Sequence, residues 1–494
     1  MQTNLDTRLR TVDKFQQEAC QRFYVDGAQR AIPQMSFFGV RKMLNCEMHY
    51  GIIIHIMRAD RGTVIMNQYR QLELQRKANK KREEYKYFVG TTLKDPLSYA
   101  VGEQMVFKIR AKYMDGYLDI PYIRYTLVSD DGQHAEGYIA KADDGWFYVE
   151  ASISQSGFVY IQAKACDENK ELIEGISVYN GSAGADIRNI FRATKTPADY
   201  SAFWSRLKAE VEATEPEILF CEKIESEKHP GFDMYDMRIK APKSEYVSVS
   251  VAYPKGAKNN SLKFAMFFQG YGVRPTEPKP IDGYFTVSVC AHAIPNRKPD
   301  AFYADLRDCE LKGYGFDAEE NKKPETTYWA KMFLRNLQAL RYFKDHELLN
   351  EKEYYFVGSS QGGMQACNMA AQFDRATAVI LNVPWLSDID GHEFCGRRAN
   401  SMPKGIGVTY FDTAVAAQFL KCPAYIISGL GDPTCNASTQ MALFNSILSP
   451  KYHEFYQNKI HSFTIPWDNC MYALGDLNFA GEYRELTSDY YDWD

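Results

Sequence analysis

The sequence has few of the features that mark several large classes of protein. None of its 11 cysteines belongs to a Cys-x-x-Cys pair, which argues against a zinc ribbon or a dithiol redox motif. No Gly-rich loop is followed by Lys-Ser or Lys-Thr, and no dinucleotide-binding fingerprint is present, so nucleotide chemistry is not indicated. The formal net charge of -5 over 494 residues is small, so neither nucleic acid nor a membrane is expected as a partner.

Long apolar runs are also missing. Residues 1–10 are charged and no apolar core follows them, so no signal peptide is predicted. The apolar run Tyr50–Met57 is too short to span a bilayer. The cysteines are scattered and odd in number, which is typical of reduced and mostly buried thiols. Together these features predict a cytoplasmic protein.

The length and the local patterns divide the chain into four regions. Residues 1–85 have no clear structural signature. Residues 86–180 alternate β-prone segments with Asp-Gly and Ser-Gly turns, which is typical of a small antiparallel, immunoglobulin-like sandwich. Residues 181–215 form a connector and a helix with Asp199 at its N-cap. In residues 216–494 helices separate compact apolar strands, which predicts a mostly parallel, doubly wound α/β sheet.

One stretch of the last region carries a chemical signature. A β-prone run, Tyr354–Val357, leads into Gly-x-Ser-x-Gly at residues 358–362, and residues 364–373 are typical of a helix. Strand, sharp turn and helix are the setting of a nucleophile elbow, in which small residues permit a strained backbone. Ser360 is therefore predicted to be a nucleophile, with an ordinary Gly-rich turn as the alternative.

A serine nucleophile needs a base and a group that orients the base. In α/β-hydrolases the acid and then the histidine follow the serine, on loops after later strands. Asp432 follows an apolar strand directly, and the competing acids are Asp388, Asp390 and Asp412. His461 lies beyond the last predicted strand, whereas His453 lies at its start. Order and position thus favour Asp432 as the acid and His461 as the base.

Acyl transfer also needs hydrogen-bond donors for the oxyanion of the tetrahedral intermediate. One expected donor is the backbone N–H of Gln361, which directly follows the nucleophile. The other should come from a loop after an earlier strand, and Gln269–Gly272 lies in that position. The N–H of Tyr271 is the candidate, with a simple glycine turn as the alternative.

Four stretches together point to a family. They are Pro-Ala-Asp-Tyr-Ser-Ala-Phe-Trp at 197–204, Gln-Gly-Tyr-Gly at 269–272, Gly-Ser-Ser-Gln-Gly-Gly at 358–363 and Gly-Leu-Gly-Asp-Pro-Thr-Cys at 429–435. Residues from about 197 to 465 resemble the acetyl xylan esterase / cephalosporin C deacetylase family, carbohydrate esterase family seven, of the α/β-hydrolase fold.

The resemblance implies Ser360, Asp432 and His461 as a catalytic triad. It also implies the N–H groups of Tyr271 and Gln361 as the oxyanion hole. The implied activity is removal of small acyl groups, above all acetyl, from carbohydrates such as acetylated xylo-oligosaccharides. The reaction passes through an acyl-enzyme on Ser360 and needs no metal and no organic cofactor. A homo-oligomer is a further expectation, since the family forms hexamers.

The sequence departs from the family pattern at three places. Gln269 replaces the His of His-Gly-Tyr, Arg307 is the remnant of an Arg-Gly-Gln-Gly signature, and Ile460 and Ser462 flank His461 where Gly and Glu are usual. Two alternatives therefore stay open. One is other acyl chemistry on the same fold, such as a peptidase or an acyltransferase. The other is a binding or assembly protein with a weakened hydrolase domain.

Overall fold

A computed structural model describes residues 86–114, 116–397 and 402–462, together with the backbone of residues 483–486. The predictions for residues 1–85 lie outside this part of the chain. Among the helices described, none combines the length and the apolar character needed to cross a bilayer.

The first described elements are two four-stranded antiparallel sheets. One sheet contains β1 (Lys86–Thr92), β2 (Met105–Tyr113), β3 (Gly116–Tyr117) and β6 (Phe147–Ala151). The other contains β4 (Tyr122–Ser129), β5 (His134–Ala140), β7 (Gly157–Cys166) and β8 (Tyr179–Ala185), in the order β5-β4-β7-β8. Strand β2 alternates between buried and half-buried residues along most of its length, so one face lies in the core. The predicted antiparallel sandwich is confirmed.

The predicted connector begins too early, because residues 181–185 complete strand β8. These five residues are Gly, Ser and Ala, a composition that resembles a linker. In the structure all five are buried, and their small side chains permit close packing. A Cβ atom on Gly184 would lie 2.5 Å from Ile187 and 2.7 Å from Phe158. Small residues here reflect tight contacts rather than a flexible link.

The remaining strands form one large sheet. They are β9 (Ile218–Lys223), β10 (Phe232–Ala241), β11 (Ser244–Pro254), β12 (Leu262–Phe268), β13 (Tyr284–Val289), β14 (Leu349–Ser359), β15 (Ala378–Asn382), β16 (Ala424–Gly429), β17 (Lys451–Tyr456) and β18 (Tyr483–Leu486). Their order is β18-β17-β16-β15-β14-β12-β13-β11-β10-β9. Neighbours from β18 to β13 are parallel, and β11, β10 and β9 pair antiparallel. The predicted mostly parallel sheet is confirmed, although β18 follows the strand expected to be last.

Helices connect these strands. They are α1 (Tyr200–Glu212), α2 (Asp300–Asp308), α3 (Tyr328–Phe343), α4 (Gln361–Ala371), α5 (Gly391–Cys395), α6 (Thr413–Ala417) and α7 (Ala437–Ser446). Helix α1 buries Phe203, Trp204 and Leu207 as one apolar stripe. Asp199 occupies its N-cap position, but the carboxylate makes no capping hydrogen bond and binds Arg206 instead. The predicted N-cap position of Asp199 is therefore confirmed, although its side chain does not cap the helix.

The sandwich and the large sheet share buried side chains. Phe158 and Tyr160 of β7 belong to the same apolar cluster as the helices and strands of the large sheet. The Phe158 ring lies 6.3 Å from that of Phe455 on β17. The described residues of the sandwich and of the large sheet belong to one compact unit. The sandwich is thus packed onto the sheet through a continuous core.

Removing this contact should destabilise the protein. Phe158 is completely buried, so Phe158→Ala should lower the free energy of unfolding by about 3–5 kcal/mol through lost burial and an unfilled cavity. Phe191→Ala is the matched control, since Phe191 is 62% exposed and its loss should change stability by no more than about 0.5 kcal/mol. Denaturant titration of both variants measures the difference, and equal stability of the two would contradict the shared core.

Candidate active site

Four of the predicted segments lie at the carboxyl ends of parallel strands in the large sheet. The Gln269–Gly272 loop follows β12, Ser360 follows β14, Asp432 follows β16 and His461 follows β17. These strands are parallel, so their carboxyl ends point to the same side. Ligands of open α/β sheets bind outside those carboxyl ends. The topology therefore gathers residues that are up to 192 positions apart in the sequence.

Ser360 adopts a strained backbone conformation. The turn around it requires glycine at two nearby positions, Gly358 and Gly362. The Ser360 φ of 56° and ψ of -121° are unusual for a residue with a side chain. A Cβ atom on Gly358 would lie 1.9 Å from the carbonyl oxygen of Gly362. A Cβ atom on Gly362 would lie 2.3 Å from the carbonyl oxygen of Phe268. Helix α4 can therefore pack against β14 and β12 only because these positions have no side chain.

Backbone hydrogen bonds fix the turn to the neighbouring strand. The Ser360 N–H donates to the Asn382 carbonyl at 2.9 Å, and the Trp385 N–H donates to the Ser360 carbonyl at 3.0 Å. Both partners belong to β15 or to the loop that follows it. Ser360 is thus fixed at the carboxyl end of β14, and the residue is partly exposed to solvent.

The structure brings the predicted serine, histidine and aspartate together. His461 Nε2 lies 2.9 Å from Ser360 Oγ, and His461 Nδ1 lies 2.8 Å from Asp432 Oδ2. The other oxygen of Asp432 accepts the N–H groups of Thr434 and Cys435, which orient the buried carboxylate. A neutral His461 with its proton on Nδ1 can donate to Asp432 and accept the proton of Ser360. This is the geometry of a nucleophile and its general base.

The competing histidine lies elsewhere. His453 is completely buried within β17, and its Nε2 lies 2.9 Å from Ser428 Oγ. Burial lowers the pKa of His453 well below its usual value, so the ring is neutral and part of the core.

The competing acids are also bound elsewhere or remote from the base. Asp388 accepts hydrogen bonds from the guanidinium of Arg397 and from the Thr194 N–H. Asp412 caps α6 through its carboxylate, and burial next to Asp388 raises its pKa to about 7. Asp390 lies directly before α5, and burial raises the pKa of its carboxyl. Of the four acids, Asp432 alone has a described hydrogen bond to His461.

The two predicted oxyanion donors lie on loops that Tyr314 connects. The Tyr314 hydroxyl accepts the Gly272 N–H at 3.0 Å and donates to Gln361 Oε1 at 2.9 Å. In the described part of the chain the Tyr271 N–H has no protein acceptor, so it is available to a ligand. The Tyr271 ring stacks on that of Tyr314 with centroids 4.4 Å apart. Tyr314 therefore sets the spacing between the loops after β12 and β14.

Sequence reasoning missed Tyr314. A signal was present, since Tyr314 lies between Gly313 and Gly315, both at positive φ. A Cβ atom on Gly315 would lie 2.3 Å from the Trp329 ring, so this backbone runs directly against an aromatic side chain. A Tyr between two glycines thus indicates that the ring of Tyr314 lies in a tightly packed loop.

Gln269 occupies the position where the family has His, and its side chain stabilises the loop after β12. Its amide NH2 donates to the carbonyls of Arg274 and Pro275 at 2.8 and 2.9 Å. Its amide oxygen accepts the Ala291 N–H at 3.1 Å. The side chain is buried, and these three bonds hold the loop that carries Tyr271.

A buried histidine supports the same loop. His292 Nε2 lies 3.1 Å from the Gly272 carbonyl, and its Nδ1 lies 2.6 Å from the Tyr328 hydroxyl. With the proton on Nε2, the ring donates to Gly272 and accepts from Tyr328. Burial lowers the pKa of His292 to about 3, so the ring stays neutral in the folded protein at ordinary pH.

This burial predicts a pH dependence of stability. An unfolded histidine binds a proton below about pH 6.5, whereas folded His292 does so only near pH 3, so its contribution is complete above pH 6.5 and falls as the pH drops. Between pH 7 and pH 5, His292→Gln should lose about 2 kcal/mol less unfolding free energy than the wild type. Urea titrations at the two pH values measure this, and His134→Gln, on an exposed position of β5, should behave as the wild type.

Equal losses in His292→Gln and in the wild type would contradict this prediction. The same measurement reports whether His292 remains neutral in the folded state.

Among the described residues, Asp432, Cys435 and His461 are a group whose ligand atoms lie within 4.8 Å of one another. Asp432 and His461 already bind each other. Burial raises the pKa of the Cys435 thiol well above its usual value, so the thiol keeps its proton beside the Asp432–His461 pair. The arrangement therefore fits acid–base chemistry better than metal binding.

The doubly wound sheet, the elbow at Ser360 and the adjoining Asp432–His461 pair define an α/β-hydrolase. A model of the acetyl xylan esterase (AXE1) family matches residues 186–392 and 397–472, which is more than half of the chain. The chain therefore belongs to the acetyl xylan esterase family, and the family predicted from the sequence is confirmed. The matched region begins just after β8.

The chain is also similar to individual proteins of known sequence or structure. The chain is 25% identical over 277 residues to the acetyl esterase Axe7A of Xylanibacter ruminicola, which is 52% of this chain and 62% of that protein. It thus spans less than two thirds of that relative. Solved structures that it resembles include an acetyl xylan esterase of Paenibacillus sp. R4, at 16% identity and a TM-score of 0.48, covering 58% of this chain and 98% of the other. Another is acetyl xylan esterase 1 of Thermoanaerobacterium sp. JW/SL YS485, at 17% identity and a TM-score of 0.46, covering 58% and 96%.

Proposed function

We propose that this protein is a serine esterase that removes acetyl groups from acetylated carbohydrates such as xylo-oligosaccharides. The observation that supports it most directly is the pair of hydrogen bonds from Ser360 to His461 and from His461 to Asp432. Membership of the acetyl xylan esterase family supports the acetyl ester as the reacting group. Cytoplasmic location and a homo-oligomer stay predictions.

Acylation begins when Ser360 Oγ attacks the carbonyl carbon of the ester while its proton passes to His461 Nε2. The buried carboxylate of Asp432 stabilises the imidazolium that forms. The negative charge moves to the carbonyl oxygen, which the N–H groups of Tyr271 and Gln361 bind. His461 then returns the proton to the leaving sugar oxygen, the carbon–oxygen bond to the sugar breaks, and an acetyl-serine remains.

Deacylation repeats these steps with water. His461 takes a proton from a water molecule as the water oxygen attacks the acetyl carbonyl. The tetrahedral intermediate collapses when Ser360 Oγ leaves and regains the proton from His461 Nε2. Acetic acid is released and ionises to acetate in solution, and the triad returns to its resting state, with His461 neutral. Each proton that His461 accepts is thus donated again, so no cofactor is required.

Aromatic side chains beside the elbow support a sugar substrate. Tyr271 and Phe316 are 41% and 37% exposed, although both rings are large and apolar. Phe316 contacts Tyr271 and Trp385, with centroids 6.0 Å from each. Trp385 in turn binds the backbone of Ser360. An exposed aromatic face next to the nucleophile can stack on the apolar face of a sugar ring.

Substitutions at two neighbouring serines test the assignment of the nucleophile. Ser360→Ala should reduce kcat for p-nitrophenyl acetate by about four orders of magnitude or more, because the attacking oxygen is lost. Ser359→Ala is the matched control, since Ser359 precedes the nucleophile and its hydroxyl contacts the Asn382 amide rather than His461. The control should keep its activity. Hydrolysis that survives in Ser360→Ala would show that the assignment is wrong.

The sugar-binding role of the aromatic cluster is a separate prediction. Phe316→Ala should raise KM for acetylated xylo-oligosaccharides about fivefold, which corresponds to about 1 kcal/mol of lost stacking. Hydrolysis of p-nitrophenyl acetate, which has no sugar ring, should change little. Tyr138→Ala is the control, because Tyr138 is 42% exposed on β5, at the sheet edge opposite β8.

The same assay separates the alternatives. An unchanged KM for the xylo-oligosaccharides in Phe316→Ala would contradict sugar stacking. Faster turnover of peptides or of longer acyl esters by the wild type would favour other acyl chemistry on this fold.

A further inference from the structure

The segments that carry the acid and the base both contact the sandwich. We call residues 429–435 the acid loop and residues 456–461 the base loop. Strand β8 is the edge of its sheet, with β7 on one side only. The backbone groups on its outer side therefore need hydrogen-bond partners from outside the sheet. The base loop supplies partners to the backbone of Ser182 and Asn180, and the Pro96 carbonyl accepts the Gly184 N–H.

Ser182 of β8 binds both loops at once. Its N–H donates to Gln457 Oε1 at 3.1 Å, and its carbonyl accepts from Gln457 Nε2 at 3.0 Å. Its hydroxyl donates to the Leu430 carbonyl at 2.7 Å. Ser182 and Gln457 are completely buried. Every polar group of Ser182 is thus used, one on the acid loop and two on the base loop.

Asn180 adds a second contact to each loop. Its N–H donates to Asn458 Oδ1 at 3.0 Å, and Asn458 Nδ2 donates to the Phe88 carbonyl of β1 at 2.6 Å. On the acid loop, a Cβ atom at Gly431 would lie only 2.2 Å from the Asn180 carbonyl oxygen. The acid loop therefore rests directly on the backbone of β8.

The two loops also bind each other through backbone hydrogen bonds. The Leu430 N–H donates to the Tyr456 carbonyl at 2.9 Å, and the Gly431 N–H donates to the Lys459 carbonyl at 3.0 Å. These bonds connect the acid loop to the base loop. Strand β8 contacts both loops through Ser182 and Asn180.

We propose that strand β8 is a positioning element of the active site, and that Ser182 is its main contact. It holds the acid loop and the base loop so that Asp432, His461 and Ser360 keep their hydrogen-bonded alignment. This inference rests on the proposed function. The match to the acetyl xylan esterase family begins at residue 186, so β8 lies outside the matched region. The sandwich thus serves the reaction without touching the substrate.

Two substitutions in the full chain test the proposal. Ser182→Ala removes the donor to the Leu430 carbonyl, and Gly431→Ala forces the acid loop off β8. Both should lower kcat for p-nitrophenyl acetate by about tenfold to a hundredfold, because small misplacements of catalytic groups have effects of this size. KM should stay unchanged, since neither residue contacts substrate. Rates are measured well below the Tm of each variant.

Asn445→Ala is the matched control for general destabilisation. The Asn445 amide donates to the carbonyls of Ile187 and Ile190, so it joins α7 to the segment after β8 without touching either loop. This variant should lower the Tm while kcat stays at the wild-type value. A kcat loss in Asn445→Ala equal to that in Ser182→Ala would overturn the proposal.

The outcomes separate the positioning role from the proposed function. Folded Ser182→Ala and Gly431→Ala proteins with wild-type kcat, beside an inactive Ser360→Ala, would overturn the positioning role alone. Activity that survives in Ser360→Ala would instead refute the proposed function. If Gly431→Ala does not fold, Ser182→Ala decides the question, because it removes one oxygen and introduces no clash.

Discussion

The strained backbone of Ser360 is the constraint on which the rest of the site depends. A non-glycine residue at a φ of 56° and a ψ of -121° is about 1–3 kcal/mol less stable than in an ordinary conformation, and it persists only where its surroundings enforce it. Gly358 and Gly362 let α4 pack against β14 and β12, while backbone bonds to Asn382 and Trp385 hold the turn. The strain places one hydroxyl above the sheet, and every other catalytic group must be brought to that point.

The acid and the base reach Ser360 from separate strands, so their alignment depends on how two loops pack. A Cβ atom on Gly429 would lie 2.2 Å from the Lys459 carbonyl oxygen, which shows how closely the loops approach each other. Ser182 and Gln457 then join both loops to β8. A chain that began near residue 181 would lack part of this strand. The sandwich is therefore difficult to regard as a detachable binding module.

That Ser360, Asp432 and His461 lie together could be predicted because their signals are local. Ser360 lies in a strand–turn–helix motif, and Asp432 and His461 follow apolar strands in the required order. The two glycines that flank Tyr314 indicate a tight loop but not what the ring contacts. Gly272, a partner of Tyr314, and Leu430, a partner of Ser182, are 42 and 248 residues away in the sequence. The mostly parallel sheet followed from alternating strands and helices. The end of the sandwich at Ala185 could not be predicted, because the small residues of β8 resemble a linker.

The departures from the family pattern have different structural consequences. Gln269 closes the loop after β12 with three hydrogen bonds, so the backbone that carries Tyr271 is held without the usual histidine. Arg307 lies on the exposed surface of α2, where its described hydrogen bonds go to Asp308. The part of this region that reaches the candidate site is the loop after α2, in which Tyr314 bridges the loops after β12 and β14 and Phe316 is partly exposed. Differences in substrate from other family members should therefore depend on this loop, because Arg307 has no described contact through which it could act on the pocket.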